Sequence, residues 1–330
     1  MRLLTRADFD GLACAAVLKE LGIIDCWKLV HPKDMQDGLV EVTDNDVLAN
    51  VPYVKGCKLW FDHHSSEEER VAGVNFEGAS YHAPSAARVI FDYYNGAAKL
   101  PHLKEMVSAT DQVDSGRLSK EDIAAPSGWV LLGFIMDPRT GLGRVKDFTV
   151  NNFVLMDILI DACRTMNIDQ ILQLPDVQER VREYQAQNEK YINMILQYSR
   201  ISWDMIITDL RGVSPIYTGN RFLMYSLFPD QNISIWIVDG SGKQNCVFAV
   251  GYSVVNRTAT VDVGKLMLHY GGGGHRMVGT CQVPYADADQ VLDELIDAIQ
   301  AAEAATEKPG AELLSLEELE AILQEYGALF

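Results

Sequence analysis

The order of apolar and polar positions gives the first outline of the chain. Arg2–Leu4 reads as a short strand and Leu12–Leu21 as a helix rich in Ala and Leu. Further apolar runs near Cys26–Val30 and at Lys58–Phe61 read as strands, and strand–helix–strand alternation at this spacing predicts parallel pairing with helical crossovers. Pro84–Tyr94 follows as a helix with Pro in its first turn, and residues 97–200 are mostly helical in pattern. Pro175–Arg200 is long, polar and free of internal Pro or Gly. From Ile201 the texture changes to β-rich runs at Trp203–Thr208, Ile233–Val238 and Cys246–Tyr252, separated by Gly, Asn and Asp. A helix at Val263–His269, a glycine run, a strand at Val278–Val283 and a helix over 287–306 follow. Pro309-Gly310 breaks that helix before a last amphipathic segment at Leu313–Leu323.

The predicted organisation is therefore α/β. A parallel-sheet domain with helices on both faces spans 1–175, and a linker helix spans 176–203. A smaller α/β domain spans 204–306, and an acidic amphipathic helix spans 307–330. At 330 residues, two domains are also what chain length suggests. The regular recurrence of Tyr184, Tyr191 and Tyr198 along the long helix reads as a packing stripe.

Charge changes this picture little. The net charge of −18 is concentrated at the end: residues 285–330 carry −11, which leaves −7 for residues 1–284. Such a balance argues against tight binding of long duplex nucleic acid, where Lys and Arg dominate affinity. No apolar stretch approaches the eighteen residues of a spanning helix, and no secretory signal is visible, so no membrane partner is expected. Six widely spaced cysteines without a CxxC pair fit reduced thiols in a cytoplasm. The acidic terminal helix packs either on its own domain or on a sister subunit, so a homodimer is open.

Three motifs carry chemistry. Thr5-Arg6-Ala7-Asp8-Phe9-Asp10-Gly11 follows the first strand, and i, i+2 spacing in extended backbone lets Asp8 and Asp10 face one point. Two carboxylates that close repel unless a proton or cation intervenes. A hard divalent ion answers that need, although capping of the next helix also accounts for the pair. Phe61-Asp62-His63-His64 offers imidazoles, which suit Mn, Fe, Co or Zn better than Mg. In Gly271-Gly272-Gly273-Gly274-His275-Arg276, backbone N–H groups can converge on an anion without Cβ obstruction, with flanking His and Arg as further donors. Arg257, upstream, offers a second guanidinium for the same anion.

In order and spacing these motifs resemble the DHH phosphoesterase superfamily with its associated carboxy-terminal domain, in the exopolyphosphatase-related and oligoribonuclease-like branch. The resemblance covers roughly residues 1–306. It implies metal ligation by Asp8, Asp10 and His63, and by a later Asp, with Asp111 the first choice and Asp114 the alternative. It implies that Asp62 orients an imidazole, that His64 contacts phosphate, and that Gly272, Gly273, Gly274, His275 and Arg276 anchor substrate. The implied activity is hydrolysis of a phosphoester or phosphoanhydride in an interdomain cleft, with Mn²⁺ as cofactor, one or two ions, and a small phosphorylated molecule or short oligonucleotide as substrate.

Two positions depart from the family pattern. Arg6 stands where a His is usual, and Asn50 best aligns with a bridging Asp. Together they remove one ligand and one negative charge. One ion held by Asp10, His63 and Asp111, with Arg6 as a built-in positive charge, is the substitute these residues suggest. The same changes also fit a catalytically weakened protein that retains phosphate or nucleotide binding.

Overall fold

The structure is a computed structural model, and it describes residues 1–64, 67 and 70–304. The predicted helix at 307–330 lies outside the described residues. The chain divides into two compact units: residues 1–118 with 126–186, and residues 119–125 with 187–330.

The first unit holds a five-stranded, all-parallel sheet of β1 (Arg2–Thr5), β2 (Cys26–Leu29), β3 (Asp46–Ala49), β4 (Leu59–Asp62) and β5 (Gly78–Ser80), in the order β2-β1-β3-β4-β5. Successive side chains of β1, β3 and β4 point to opposite faces, yet all except Arg2 are buried. That requires cover on both faces, as parallel sheets need. On one face Leu4, Leu48 and Trp60 pack with Met35, Tyr53 and Phe76. On the other, Phe61 meets the rings of Tyr93 and Tyr94, at the end of the helix Ala86–Tyr93. Each fully buried Leu-sized side chain contributes about 1.5–3 kcal/mol.

Register fixes where the site lies. Thr5 pairs with Ala49, and Ala49 with Phe61, so Arg6, Asn50 and Asp62 emerge at one edge, the carboxyl ends of the strands. The opposite edge is bolted by Arg2, whose guanidinium donates to both oxygens of Asp46 at 2.7 and 2.8 Å. Burial opposes the charge on Asp46, but Arg2 and Thr43 outweigh it and hold that carboxyl below its ordinary pKa.

Four helices of this unit are α1 (Phe9–Glu20), α2 (Ala86–Tyr93), α3 (Lys104–Asp114) and α4 (Gly128–Met136). The long helix Pro175–Tyr198 runs through the division between the units. Tyr184 and Tyr191 on it are buried, and Tyr191 lies against Gly219, where a Cβ would fall 2.2 Å from the ring.

The second unit holds a mixed six-stranded sheet in the order β10-β11-β9-β8-β7-β6. Its strands are β6 (Ser199–Ser202), β7 (Met205–Asp209), β8 (Ile233–Asp239), β9 (Cys246–Tyr252), β10 (Gly273–His275) and β11 (Val278–Val283); only β7 and β8 pair in parallel. Ile235, Ile237, Phe248 and Val250 form its core with Met267, Leu292, Leu295 and Ile299. Trp203, expected inside a strand, stands instead at the tip of the β6–β7 hairpin, exposed and with φ of 55°. The glycine run, expected as a loop, is in part strand β10. All six cysteines are free thiols, and no helix among the described residues is long and apolar enough to cross a membrane.

Candidate active site

The turn from β1 into α1 is set by Gly11, where a Cβ would lie 2.0 Å from the Arg6 carbonyl oxygen. Asp8 caps α1, its Oδ1 accepting from Gly11 N–H at 2.9 Å. The capping role weighed for this motif thus belongs to Asp8 alone. Its carboxylate also accepts from Asn50 Nδ2 at 3.1 Å, and its Oδ2 lies 3.2 Å from Arg6 Nε. Asn50 follows β3 with φ of 55°, a left-handed conformation that Asn tolerates better than most residues. Asp8, Asp10 and Asn50 are all buried.

Asp10 sits two residues on and bridges to α2. Its Oδ2 accepts from Ala86 N–H at 3.0 Å and its Oδ1 from Ala87 N–H at 2.8 Å. Burial, and then the nearby Asp114 carboxylate, push its carboxyl up to about 7, with His63 opposing. That places a carboxylate where a cation is wanted.

His63 supplies the informative geometry. Its Nδ1 lies 3.1 Å from the Ala83 carbonyl, which can only accept, so Nδ1 carries the proton. The Nε2 lone pair then faces Asp114 Oδ2 at 3.2 Å and Asp10 Oδ2 at 3.8 Å. Nε2 is buried and has no hydrogen-bond partner among the described residues, and the same holds for Asp62 Oδ2. One ligand atom each from Asp10, His63 and Asp114 lies within 4.8 Å of the others. Acceptor atoms converging this closely need a shared proton or a cation between them, and a divalent ion answers that need.

His64 lies beside this cluster, 4.3 Å from His63 between ring centroids, with Nδ1 2.8 Å from Asp62 Oδ1. Burial lowers the His64 pKa, but the hydrogen bond and charge of Asp62 prevail and push it up to about 9, so the imidazole is cationic at neutral pH.

Asp111 is turned elsewhere. It accepts from Arg88 Nε and Nη2 at 2.9 and 2.7 Å and from Ser85 Oγ at 2.7 Å. Asp114, one helical turn later and partly exposed, is the carboxylate that meets His63. Arg139 was not singled out from the sequence. It follows α4 in Asp137-Pro138-Arg139 and, with Asp8, Asp10, Asp114 and Asp137, lines one small cavity. Its Nε donates to Asp137 at 2.7 Å. A Pro in a short turn after an apolar helix was the only available signal.

In the second unit, Gly272 and Gly274 are required by the β10–β11 hairpin. A Cβ at either would fall 2.0 Å from Thr280 O or 2.2 Å from Val278 O. Gly273 has open space, and Arg276 is exposed at the hairpin turn. Arg257 Nε donates to Val254 O at 2.9 Å. The side chain of His275 lies outside what the structure describes. A larger groove of about 650 Å³ includes Arg200, Asp209 and Arg211, and there Arg211 is tied to Asp209 and Asp289.

No family model matches the chain and no curated protein matches it. Solved structures do. The chain is 43% identical to the pGpG-specific phosphodiesterase PggH from Vibrio cholerae, over 91% of this chain and 99% of that one, with a TM-score of 0.76. The chain belongs to the DHH phosphoesterase superfamily. RecJ from Thermus thermophilus in complex with Mn²⁺ shares the fold at 13% identity and a TM-score of 0.50, over 99% of this chain and 56% of that one. Within this DHH chain the parallel-sheet unit carries the triplet Asp62-His63-His64, and the mixed-sheet unit carries the glycine run.

Proposed function

We propose that the protein is a divalent-metal-dependent phosphodiesterase acting on short nucleotides, with a linear dinucleotide of the pGpG kind as first substrate and Mn²⁺ as first metal. The observation that carries this reading is the unpartnered Nε2 of His63 facing Asp10 and Asp114. The 43% identity to a pGpG-specific phosphodiesterase supports the substrate.

Asp10, His63 and Asp114 would hold the ion. Bound there, a divalent ion supplies Lewis acidity and makes water acidic enough to attack near neutral pH. The chain's own groups do the rest. The Ala83 carbonyl keeps His63 in the ligating tautomer, and the amides of Ala86 and Ala87 aim Asp10. Asp62 keeps His64 charged, and that imidazolium stabilises negative charge growing on the phosphoryl oxygens. Water oxygen adds to phosphorus, the bond to the leaving sugar oxygen breaks, and that oxygen takes up a proton. Gly272, Gly273, Gly274, His275, Arg276 and Arg257 bind a second phosphate of the substrate.

One observation favours a second reading, a nucleotide-binding protein with weakened turnover: Asp8 is already engaged by Arg6 and Asn50. Hydrolysis of pGpG by the Mn²⁺-loaded protein, followed by chromatography, separates the two. The proposal expects two GMP per pGpG, with the rate in Asp10→Ala lower by about 1000-fold, the scale of a lost charge stabiliser. Tight pGpG binding with no GMP assigns the second reading. Equal rates in the two proteins overturn the phosphodiesterase assignment.

A further inference from the structure

The two aspartates of the first motif meet different surroundings, and the difference concerns how many ions the centre takes. The groups that engage the Asp8 carboxylate are donors. Oδ1 accepts from Gly11 N–H and from the Asn50 amide, and Oδ2 lies against the Arg6 guanidinium. Around Asp10, His63 and Asp114 the meeting atoms are acceptors, with His63 Nε2 unpartnered. A cation is lacking at the second place and already present at the first, as part of the protein.

We propose that the centre takes one divalent ion, held by Asp10, His63 and Asp114, and that Arg6 is a phosphate-binding residue occupying the ground a second ion would need. This rests on the phosphodiesterase reading. Asp8 is then not a metal ligand; it anchors Arg6. Asn50, buried at the end of β3, presents its amide N–H₂ to Asp8 and adds no negative charge. A second divalent ion at Asp8 would compete with these donors and meet the repulsion of the guanidinium that already sits 3.2 Å from Asp8 Oδ2. Arg6 uses Nε on Asp8 and remains about one-third exposed, so its Nη fork stays open to a ligand. A guanidinium fork matches two phosphate oxygens at once. It supplies fixed charge and orientation, whereas a metal would also acidify water.

The test is ion stoichiometry. Metal-free protein is titrated with Mn²⁺ by calorimetry, and bound Mn²⁺ is counted by elemental analysis after removal of excess. The expected result is one ion per chain in protein that hydrolyses pGpG; two ions per chain in active protein overturn the inference and leave the phosphodiesterase reading standing. Arg6→Ala should still take one ion, bind pGpG at least about 10-fold more weakly and turn over about 100-fold more slowly. Arg6→Lys should recover part of both losses. Unchanged pGpG affinity and turnover in folded Arg6→Ala overturn the role of Arg6. The double change Arg6→His with Asn50→Asp should raise the count to two, and a count that stays at one contradicts the claim that these two side chains exclude the second ion.

Discussion

The parallel-sheet unit and the mixed-sheet unit present their polar groups in opposite ways. In the first, Asp8, Asp10, Asn50 and Asp62 are buried, and each is held by a named hydrogen-bond partner before any ligand arrives. In the second, the glycine run offers backbone, and its one described cationic side chain, Arg276, is exposed at a turn. Preorganised buried charge suits bond breaking, since no reorganisation is needed when charge develops. Exposed donors on a hairpin suit holding a substrate end. Substitutions of the carboxylates that face His63 should therefore change kcat and metal affinity, and substitutions in the glycine hairpin should change KM.

After Asp10, the largest effect should come from Asp114. Asp114→Asn is expected to weaken Mn²⁺ binding by roughly 100-fold, the upper end for disturbed metal environments, with kcat falling in parallel. Asp111→Asn should leave Mn²⁺ affinity unchanged and lower stability by about 1–3 kcal/mol, because Arg88 loses the charge of the carboxylate that takes two of its hydrogen bonds. Calorimetric titration beside urea denaturation checks both, and the reverse pattern would exchange the roles of the two residues. Next in size, Arg276→Ala should raise KM for pGpG by about 10-fold, equal to about 1.4 kcal/mol, with kcat nearly kept. A fall in kcat with unchanged KM would erase the contrast between the units.

A further prediction, away from the site, concerns stability and pH. The folded Asp46 carboxyl is held below its unfolded pKa, so its contribution is fully present above the unfolded value near 3.9 and is lost as pH falls through the folded one. Asp46→Asn should thus cost about 1–3 kcal/mol at pH 7. The gap to wild type should shrink below about pH 4 in urea melts. A cost independent of pH would remove the Arg2 pair as its source.

The parallel pairing of the first sheet was legible, because short apolar runs alternating with helices point to crossover connections. The β9, α-helical 263–269 and β11 bounds agree with the pattern residue for residue, since alternation there is clean. The short strands β5 and β6 were not legible: three or four half-buried residues carry little periodicity. In the site, the Asp8–Asp10 pair and the Asp62 triplet stand out by residue type. Asp111 and Asp114 could not be separated, because three residues apart they share a helix face. Arg88, reaching from another helix, engages Asp111, while Asp114 lies beside His63. The grouping of residues 119–125 with the second unit likewise depends on a distant partner, the Asn220 amide donating to Ile123 O at 3.0 Å.

Diffraction from crystals soaked in Mn²⁺, recorded at the manganese absorption edge, addresses the metal centre itself. One anomalous peak per chain is predicted, about 2.0–2.3 Å from a carboxylate oxygen of Asp10, Nε2 of His63 and a carboxylate oxygen of Asp114. A peak on Asp8 or Asp111, or none near His63, would contradict the account.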